Sequence, residues 1–195
     1  MGAYGNVIIP DTMDRGAQPL WDRAIILAAG AAVATSYQFF SVPIGQASKT
    51  KVDTNLTGKG SSLSYTYHVQ SIGFMVKSNV LLADLQTFLE TSYFEFKIGP
   101  NIYMEGPLHV FPAGAGIDAM TTRTNEASIN IGRPDPNAAR RFPEMPRTIP
   151  AGFEFSVIVY VTSGFTLSAA TTSPAGTGLQ VACILDGIKD KASQL

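Results

Sequence analysis

Residues 92–117 read SYFEFKIGPNIYMEGPLHVFPAGAGI, two apolar stretches joined by a Gly-Pro-Asn turn and followed by Pro-Ala-Gly. Phe94, Phe96 and Ile98 fall on one face of an extended chain, and the residues between them fall on the other face. A two-residue period of this kind is typical of a half-buried strand. The stretch therefore predicts an antiparallel β-hairpin, and it contains no recognisable catalytic constellation.

The two-residue period recurs on both sides of this hairpin. It is strongest over residues 153–161, where Phe and Val occupy every second position, and it returns over residues 179–185. Residues 34–42 are also rich in aromatic and β-branched side chains, which favour strands. These segments predict strands on either side of the central hairpin.

Two other segments depart from simple alternation. In residues 63–76 the apolar positions slip by one residue near Gln70 and Ser71, which predicts a β-bulge or a change of sheet. Residues 79–90 space their leucines and phenylalanine at helical intervals, which predicts one short helix. Together the patterns predict an all-β fold, a two-sheet antiparallel β-sandwich with one short helix.

The length of 195 residues predicts a single domain. Residues 1–23 mix Gly, Pro and Asp with few periodic apolar positions, which favours an N-terminal arm or extension, and we place its end at residue 33. The sandwich domain would then span residues 34–190, followed by a C-terminal tail over 191–195. The proline-rich stretch 112–150 predicts a long exposed excursion, where we expect partner contacts.

Charge is sparse in this chain. Charged residues make up 15% of it, against about 25% in a typical soluble domain, so we expect neighbouring subunits to cover much of the surface. A net charge of −1 argues against sequence-independent binding of nucleic acid, which needs a clear excess of basic residues. The basic neighbourhood that does occur is interrupted by Asp135 and Glu144, and we interpret it as a solvated or subunit-bridging loop. Its members are Arg133, Arg140, Arg141 and Arg147.

Residues 24–34 form the longest strictly apolar run, AIILAAGAAVA. The run is too short for a membrane-spanning helix, which needs about 18 residues or more. The long acidic segment before it also lacks the short basic start of a signal peptide. The run fits a core or intersubunit segment, and contact with a lipid surface is the alternative.

Residue types that carry chemistry are few and scattered. Cys183 lies in an alternating apolar run, which predicts a buried core residue rather than a nucleophile. His68 falls on the polar face of its strand, and His109 is far from it in the chain. Solvated or interface histidines are the simpler interpretation of such isolated residues. We therefore expect no catalytic residue, no metal site and no cofactor.

Three apolar residues predict surfaces that a partner would cover. Ile158, Tyr160 and Ile184 have the opposite parity to the core positions of their strands, so an isolated sandwich would expose them. Apolar residues in such positions often meet another layer or another subunit. We expect Ile158, Tyr160 and Ile184 to form a subunit interface.

Three segments stand out over roughly residues 93–189: FEFKIGPNIYMEGPLHVFPAGAGI (94–117), IPAGFEFSVIVYV (149–161) and LQVACILDGIKD (179–190), with the proline-rich excursion between the first and the second. This combination resembles the jelly-roll capsid proteins of bacteriophages. Within that family, the single jelly-roll major capsid proteins of tailless, membrane-containing phages are one candidate group.

The resemblance implies a jelly-roll-type sandwich and a structural virion protein, a capsid building block that self-assembles into homo-oligomers without catalysis. The partners implied are copies of the chain and other capsid proteins, with contact to an internal membrane through the N-terminal segment left open. We expect no small-molecule substrate and no direct sequence-specific binding of nucleic acid. The implied location is the virion, after assembly in the host cytoplasm.

Two other functions are alternatives for a β-sandwich of this size. A carbohydrate-binding or receptor-binding module would stack Trp21, Tyr37 or Tyr103 against sugar rings. An oxygenase on the same scaffold would need a clustered metal triad, which two isolated histidines supply poorly.

Overall fold

The computed structural model describes residues 13–26, 35–58, 62–76, 82–111, 140–141, 147–162, 166–168, 172–173 and 176–192. These residues form two antiparallel sheets around one apolar core, a short two-stranded pair and one α-helix. The prediction of an all-β, two-sheet antiparallel sandwich with one short helix is confirmed.

The strands follow the alternation of the sequence. In β5 and β9 every second side chain is buried, and the predicted short helix is present as α1. In chain order the elements are β1 (Met13–Ala17), β2 (Leu20–Ile26), β3 (Ser36–Phe39), β4 (Thr66–Val76), α1 (Leu82–Thr91), β5 (Ser92–Ile98), β6 (Asn101–Pro107), a 3-10 turn (Leu108–Val110), β7 (Arg140–Arg141), β8 (Arg147–Ile149), β9 (Phe155–Val161), β10 (Thr172–Ser173), β11 (Gly176–Thr177) and β12 (Leu179–Ala192).

The larger sheet is built around β12. β1 and β2 pair with one edge of β12 in an unchanged register, with Met13 opposite Ala192 and Leu20 opposite Leu185. β1 and β2 are therefore collinear. Their pairing with β12 is interrupted near Pro19, which has no N–H to donate to a β-ladder hydrogen bond. β4 pairs with the other edge of β12, and β7 and β8 pair with successive parts of β4.

A β-bulge in β4 lies where the sequence pattern slips. Ser71 is opposite Asp186 and Val69 is opposite Gly187, so Gln70 is the extra residue. The extra residue reverses the parity of the strand, so the apolar side chains before and after it face the same core. The predicted bulge is thereby confirmed.

The smaller sheet has the order β3-β9-β5-β6. Its strands β5 and β6 are the predicted hairpin, with Ile98 opposite Asn101 across the Gly99-Pro100 turn. Gly99 has a φ of 57°, in the left-handed region that glycine adopts without strain. The tight turn fixes the register of the hairpin and hence which side chains of β5 face outward.

The principal strands pair in a nested order. Counting β1 with β2 as the first strand and β7 with β8 as the sixth, the first pairs with the last, β12, and the second, β3, pairs with the next to last, β9. In the same way β4 pairs with β7 and β8, and β5 pairs with β6. Contacts of β12 with β4 and of β9 with β5 complete the two sheets.

Buried aromatic rings join the two sheets across the core. Phe74 of the larger sheet contacts Phe39 of the smaller sheet at 6.0 Å between ring centroids and Phe94 at 5.0 Å. Phe111, after the 3-10 turn, packs edge-on against Phe94 at 4.4 Å. Burial of a side chain of this size contributes roughly 1.5–3 kcal/mol, so these contacts are a main source of cohesion between the sheets.

The segment expected to be an arm, residues 1–33, contains β1 and β2 of the larger sheet. At the other end β12 reaches Ala192, whereas the sequence pattern places the end of the domain at residue 190. The alternation of β2 is hidden in the sequence because the side chain of Asp22 lies among its buried positions. The apolar run begins inside β2, and its residues 27–34 lie outside the described part of the chain.

Candidate subunit interface

The three residues predicted to form an interface lie on two different sheets. Ile158 and Tyr160 are on the outer face of β9 in the smaller sheet, and Ile184 is on the outer face of β12 in the larger sheet. Each is half-buried, because neighbouring side chains cover part of it. The structure therefore places Ile158 beside Tyr160 and leaves Ile184 on the opposite side of the sandwich.

Tyr160 is held in place by residues of β5. Its ring stacks on Tyr93, with centroids 5.0 Å apart and planes inclined by 17°. Its hydroxyl donates to Oε2 of Glu95 at 3.2 Å, and Nζ of Lys97 lies 2.5 Å from the same oxygen. The hydrogen bond with Glu95 raises the pKa of Lys97. One ring face of Tyr160 is thus already used by Tyr93.

Ile158 lies in the neighbouring row of the same face. Gln38 of β3 is on one side of it and Glu95 of β5 is on the other, and Glu105 of β6 is directly opposite Glu95. Like charges directly opposite each other are unfavourable, and Lys97 compensates Glu95. We call the outer face of the smaller sheet the acidic face; it is marked by Glu95, Ile102, Glu105, Ile158 and Tyr160.

The most exposed apolar side chains of the smaller sheet lie near its turns, where the sequence does not predict them. Phe153 is 57% exposed, Ile102 49% and Tyr103 38%. The turns that carry them are joined by a hydrogen bond of 2.8 Å from N of Gly99 to O of Glu154. The alternation of residues 153–161 assigns Phe153 to the core, which is wrong because β9 begins two residues later. Tyr103 is the extra residue of a bulge in β6, so its parity is not visible in the sequence.

Ile184 lies in a more covered setting. Trp21 of β2 and Gly73 of β4 are its cross-strand neighbours. The residues that precede it on the same face of β12, Gln180 and Ala182, are only 2% and 3% exposed. The outer face of the larger sheet therefore offers less apolar surface here than the acidic face does.

A hydrogen-bonded row of polar side chains crosses four strands of the larger sheet. Nε and Nη2 of Arg15 donate to the two oxygens of Asp190 at 2.8 and 2.9 Å. Oδ2 of Asp190 lies 2.9 Å from Nε2 of His68, and Nδ1 of His68 lies 3.0 Å from Oγ1 of Thr148. The hydrogen bond from Arg15 holds the pKa of Asp190 below its usual range.

This row contains the groups of a catalytic triad in the order hydroxyl, imidazole and carboxylate. Both oxygens of the Asp190 carboxylate accept hydrogen bonds from Arg15, so this carboxylate is shared between the guanidinium of Arg15 and the imidazole of His68. Thr148 and His68 are directly opposite each other in a continuous ladder of strands. The arrangement therefore ties β1, β12, β4 and β8 together.

The three aromatic residues considered for sugar binding do not share a surface. Trp21 lies on β2 in the larger sheet, and Tyr37 is partly buried against the core. Tyr103 lies at the far edge of the smaller sheet, where the guanidinium carbon of Arg147 is 5.7 Å from the centre of its ring. A single stacking platform made of these rings is therefore not formed.

The remaining candidate residues are separate from one another. Cys183 is fully buried, and desolvation raises the pKa of its thiol well above the usual value. His109 is exposed in the 3-10 turn after β6. Within the described ranges, no three His, Cys, Asp or Glu side chains are grouped so as to hold a metal ion. No helix in that part of the chain is long and apolar enough to cross a membrane.

Comparisons with protein-family models, with curated proteins and with solved structures find no match for this chain. The strand order and the side-chain arrangement of the two outer faces are therefore the basis for a functional proposal.

Proposed function

We propose that this protein is a structural subunit that self-assembles into the shell of a virion and has no catalytic activity. The nested strand order is the observation that carries the proposal. A jelly roll is an antiparallel double sheet of eight strands, and pairing of the first strand with the last, the second with the next to last, and so on inward supports a winding of that kind. Viral capsid domains are among the proteins built on jelly rolls, in keeping with the resemblance of residues 93–189.

The surface of the smaller sheet supports assembly as the use of this fold. Its outer face and turns present Ile102, Tyr103 and Phe153 as exposed side chains and Ile158 and Tyr160 as half-buried ones. Exposed apolar side chains on an outer face and at the turns beside it favour a protein contact there. Because only 15% of the chain is charged, burying part of its surface removes few charges from water.

The proposed partners are further copies of this chain and other capsid proteins, and the proposed location is the virion. Contact with an internal membrane through the N-terminal segment is a separate part of the proposal. It concerns residues 27–34 of the apolar run, since the first three residues of that run belong to β2. Vesicle flotation of the purified protein tests this part independently of assembly.

Sedimentation velocity over a range of protein and salt concentrations tests self-assembly directly, with electron microscopy of any heavy fraction. Discrete rings or closed shells are the expected result, because many modest interfaces add up to a stable particle. A monomer under all conditions would contradict the proposal and would favour the carbohydrate-binding or receptor-binding alternative.

Ile158→Asp and Val110→Asp form a matched pair of variants for locating the interface. Ile158→Asp replaces an apolar side chain of the acidic face beside Glu95, whereas Val110 is 41% exposed in the 3-10 turn after β6. We expect Ile158→Asp to abolish assembly and Val110→Asp to assemble as the wild type does. Tyr160→Asp should also block assembly, although it additionally loses the stacking on Tyr93, about 0.5–1.5 kcal/mol.

Circular dichroism and thermal unfolding establish that each variant is folded before its assembly is compared. Normal particles from folded Ile158→Asp would exclude this part of the acidic face from the interface. Equal loss of assembly in Val110→Asp would show a general effect of added charge.

A further inference from the structure

Ionisable side chains are divided unequally between the two sides of the sandwich. The side of the larger sheet, with the 40–58 loop, holds seven cations and five carboxylates whose side chains the structure describes. The side of the smaller sheet, with α1 and the turns, holds five described carboxylates and one cation, namely Asp84, Glu90, Glu95, Glu105, Glu154 and Lys97. The described part of the molecule is therefore negative on one side and positive on the other, although the whole chain has a net charge of only −1.

On the positive side, several cations are already paired within the subunit. The ion pairs are Arg15 with Asp190 at 2.8 Å, Arg23 with Asp53 at 2.6 Å, and Lys49 with Asp22 at 2.5 Å. Lys51 and Lys191 are exposed, and neither has an ion-pair partner among the described residues. These two ammonium groups are available to a carboxylate of another molecule.

On the negative side, Glu95 forms an ion pair with Lys97. Glu105 is exposed, lies directly opposite Glu95, and has no ion-pair partner in the described part of the chain. Ile102, on the same strand, is 49% exposed. Two carboxylates that face each other across strands repel. A cation from another molecule would reduce that repulsion at Glu105, and the exposed Ile102 would add apolar contact area beside it.

We propose that the acidic face docks against the positive side of a second copy of this chain, where Glu105 pairs with Lys51 or Lys191 of that copy. The inference rests on the proposed self-assembly and names the contact that produces it. Charge complementarity selects a second copy as the occupant, since the same chain carries both the unpaired carboxylate and the unpaired ammonium groups. The exposed Ile102 and the half-buried Ile158 supply apolar area at the same contact.

Docking of this kind is head-to-tail, because two different surfaces meet. Each subunit then binds one neighbour through its acidic face and another through its positive side, so the assembly closes into a ring or continues as a filament. A net charge near zero leaves little overall repulsion to oppose this contact. The contact should weaken as salt is raised, since the screening length falls from about 10 Å at 0.1 M to about 3 Å at 1 M.

Two variants with the same change in net charge test the docking against a general charge effect. Glu105→Gln removes one negative charge from the acidic face, and Thr57→Lys adds one positive charge to the exposed 40–58 loop on the other side. We expect Glu105→Gln to raise the dissociation constant for self-association by about fivefold. Thr57→Lys should leave it unchanged or lower it. Sedimentation equilibrium at low salt measures both constants on the full-length protein.

Mixing two charge-reversal variants identifies the head-to-tail geometry. In Glu105→Lys the acidic face is reversed, and in the double variant Lys51→Glu, Lys191→Glu the positive side is reversed. Each should be monomeric alone, because neither retains a complementary pair of surfaces. In an equimolar mixture both contacts become complementary: the acidic face of the double variant meets the positive side of Glu105→Lys, and the reversed face of Glu105→Lys meets the reversed side of the double variant. Assemblies in which the two variants alternate should therefore form.

The possible outcomes separate this inference from the function on which it rests. A wild type that assembles while Glu105→Gln and Glu105→Lys assemble equally well would overturn the docking and leave self-assembly standing. A parallel effect of Glu105→Gln and Thr57→Lys would also overturn it. A wild type that stays monomeric at low salt would overturn both the docking and the proposed function.

Discussion

Gly187 lies where β12 crosses the bulge of β4, and there is no room beside it for a side chain. A Cβ at this position would overlap the carbonyl oxygen of His68 and lie 3.0 Å from Cε1 of Tyr67. We expect Gly187→Ala to lower the free energy of unfolding by about 2–3 kcal/mol, because the two strands must separate to admit the methyl group. Gly16→Ala is the control, since its Cβ would meet only the flexible side chain of Lys189, with Cε at 3.3 Å. Urea unfolding measures both, and equal losses would contradict the prediction.

Asp190 should make the stability of the sandwich depend on pH. Its hydrogen bond from Arg15 lowers its pKa in the folded protein, relative to about 3.9 in the unfolded chain. A lowered carboxyl pKa contributes stability that is complete above the unfolded value and is lost as pH falls through the folded value. The wild type should therefore lose more free energy of unfolding below about pH 4 than Asp190→Asn does. Urea unfolding at a series of pH values tests this, and parallel curves for the two proteins would count against it.

The buried carboxylate of Asp22 in β2 forms one of the ion pairs that fasten the 40–58 loop to that strand. Asp22 is 0% exposed, its Oδ1 lies 2.5 Å from Nζ of Lys49, and its Oδ2 accepts the N–H of Phe40 at 2.6 Å. Lys49→Met leaves a buried carboxylate without its cation, and we expect a loss of about 3 kcal/mol or more in the free energy of unfolding. The double variant with Asp22→Asn removes both charges and keeps an acceptor for Phe40, so it should recover most of that loss. A double variant no more stable than Lys49→Met would refute the explanation.

Elements with one buried face are the ones that the sequence reveals. β5 and β9 bury every second side chain, and the bulge at Gln70 appears as a change of parity, so local patterning is enough to find them. The pattern of β2 is not evident in the sequence, because its buried positions include Asp22. The partner of Asp22, Lys49, is distant in the chain. β7 and β8 are too short to show a period. The pairing of Glu105 with Glu95 depends on the register of a bulged hairpin, which no local pattern contains.

At the scale of the whole molecule, the first and last described strands lie side by side. Met13 of β1 is directly opposite Ala192 of β12. A circular permutant that joins residue 195 to residue 1 and opens the chain at the Gly99-Pro100 turn keeps every strand pairing of both sheets. We expect it to fold with the far-UV circular dichroism of the wild type and to unfold cooperatively, because exposed turns and neighbouring termini tolerate such changes. A permutant without a cooperative thermal transition would contradict the strand order.

The central strand of the larger sheet, β12, follows in the chain all the strands with which it forms that sheet, so a ribosome makes it after them. β2 and β4 emerge long before β12, which separates and joins them, whereas the β5-β6 hairpin has both of its strands early. Until β12 is made, the edges of β2 and β4 that pair with it remain open. Open strand edges can pair with other chains. Newly made protein should therefore depend on slow translation or on chaperones to avoid aggregation. Chains released before residue 179 should be found in inclusion bodies rather than as folded sandwiches.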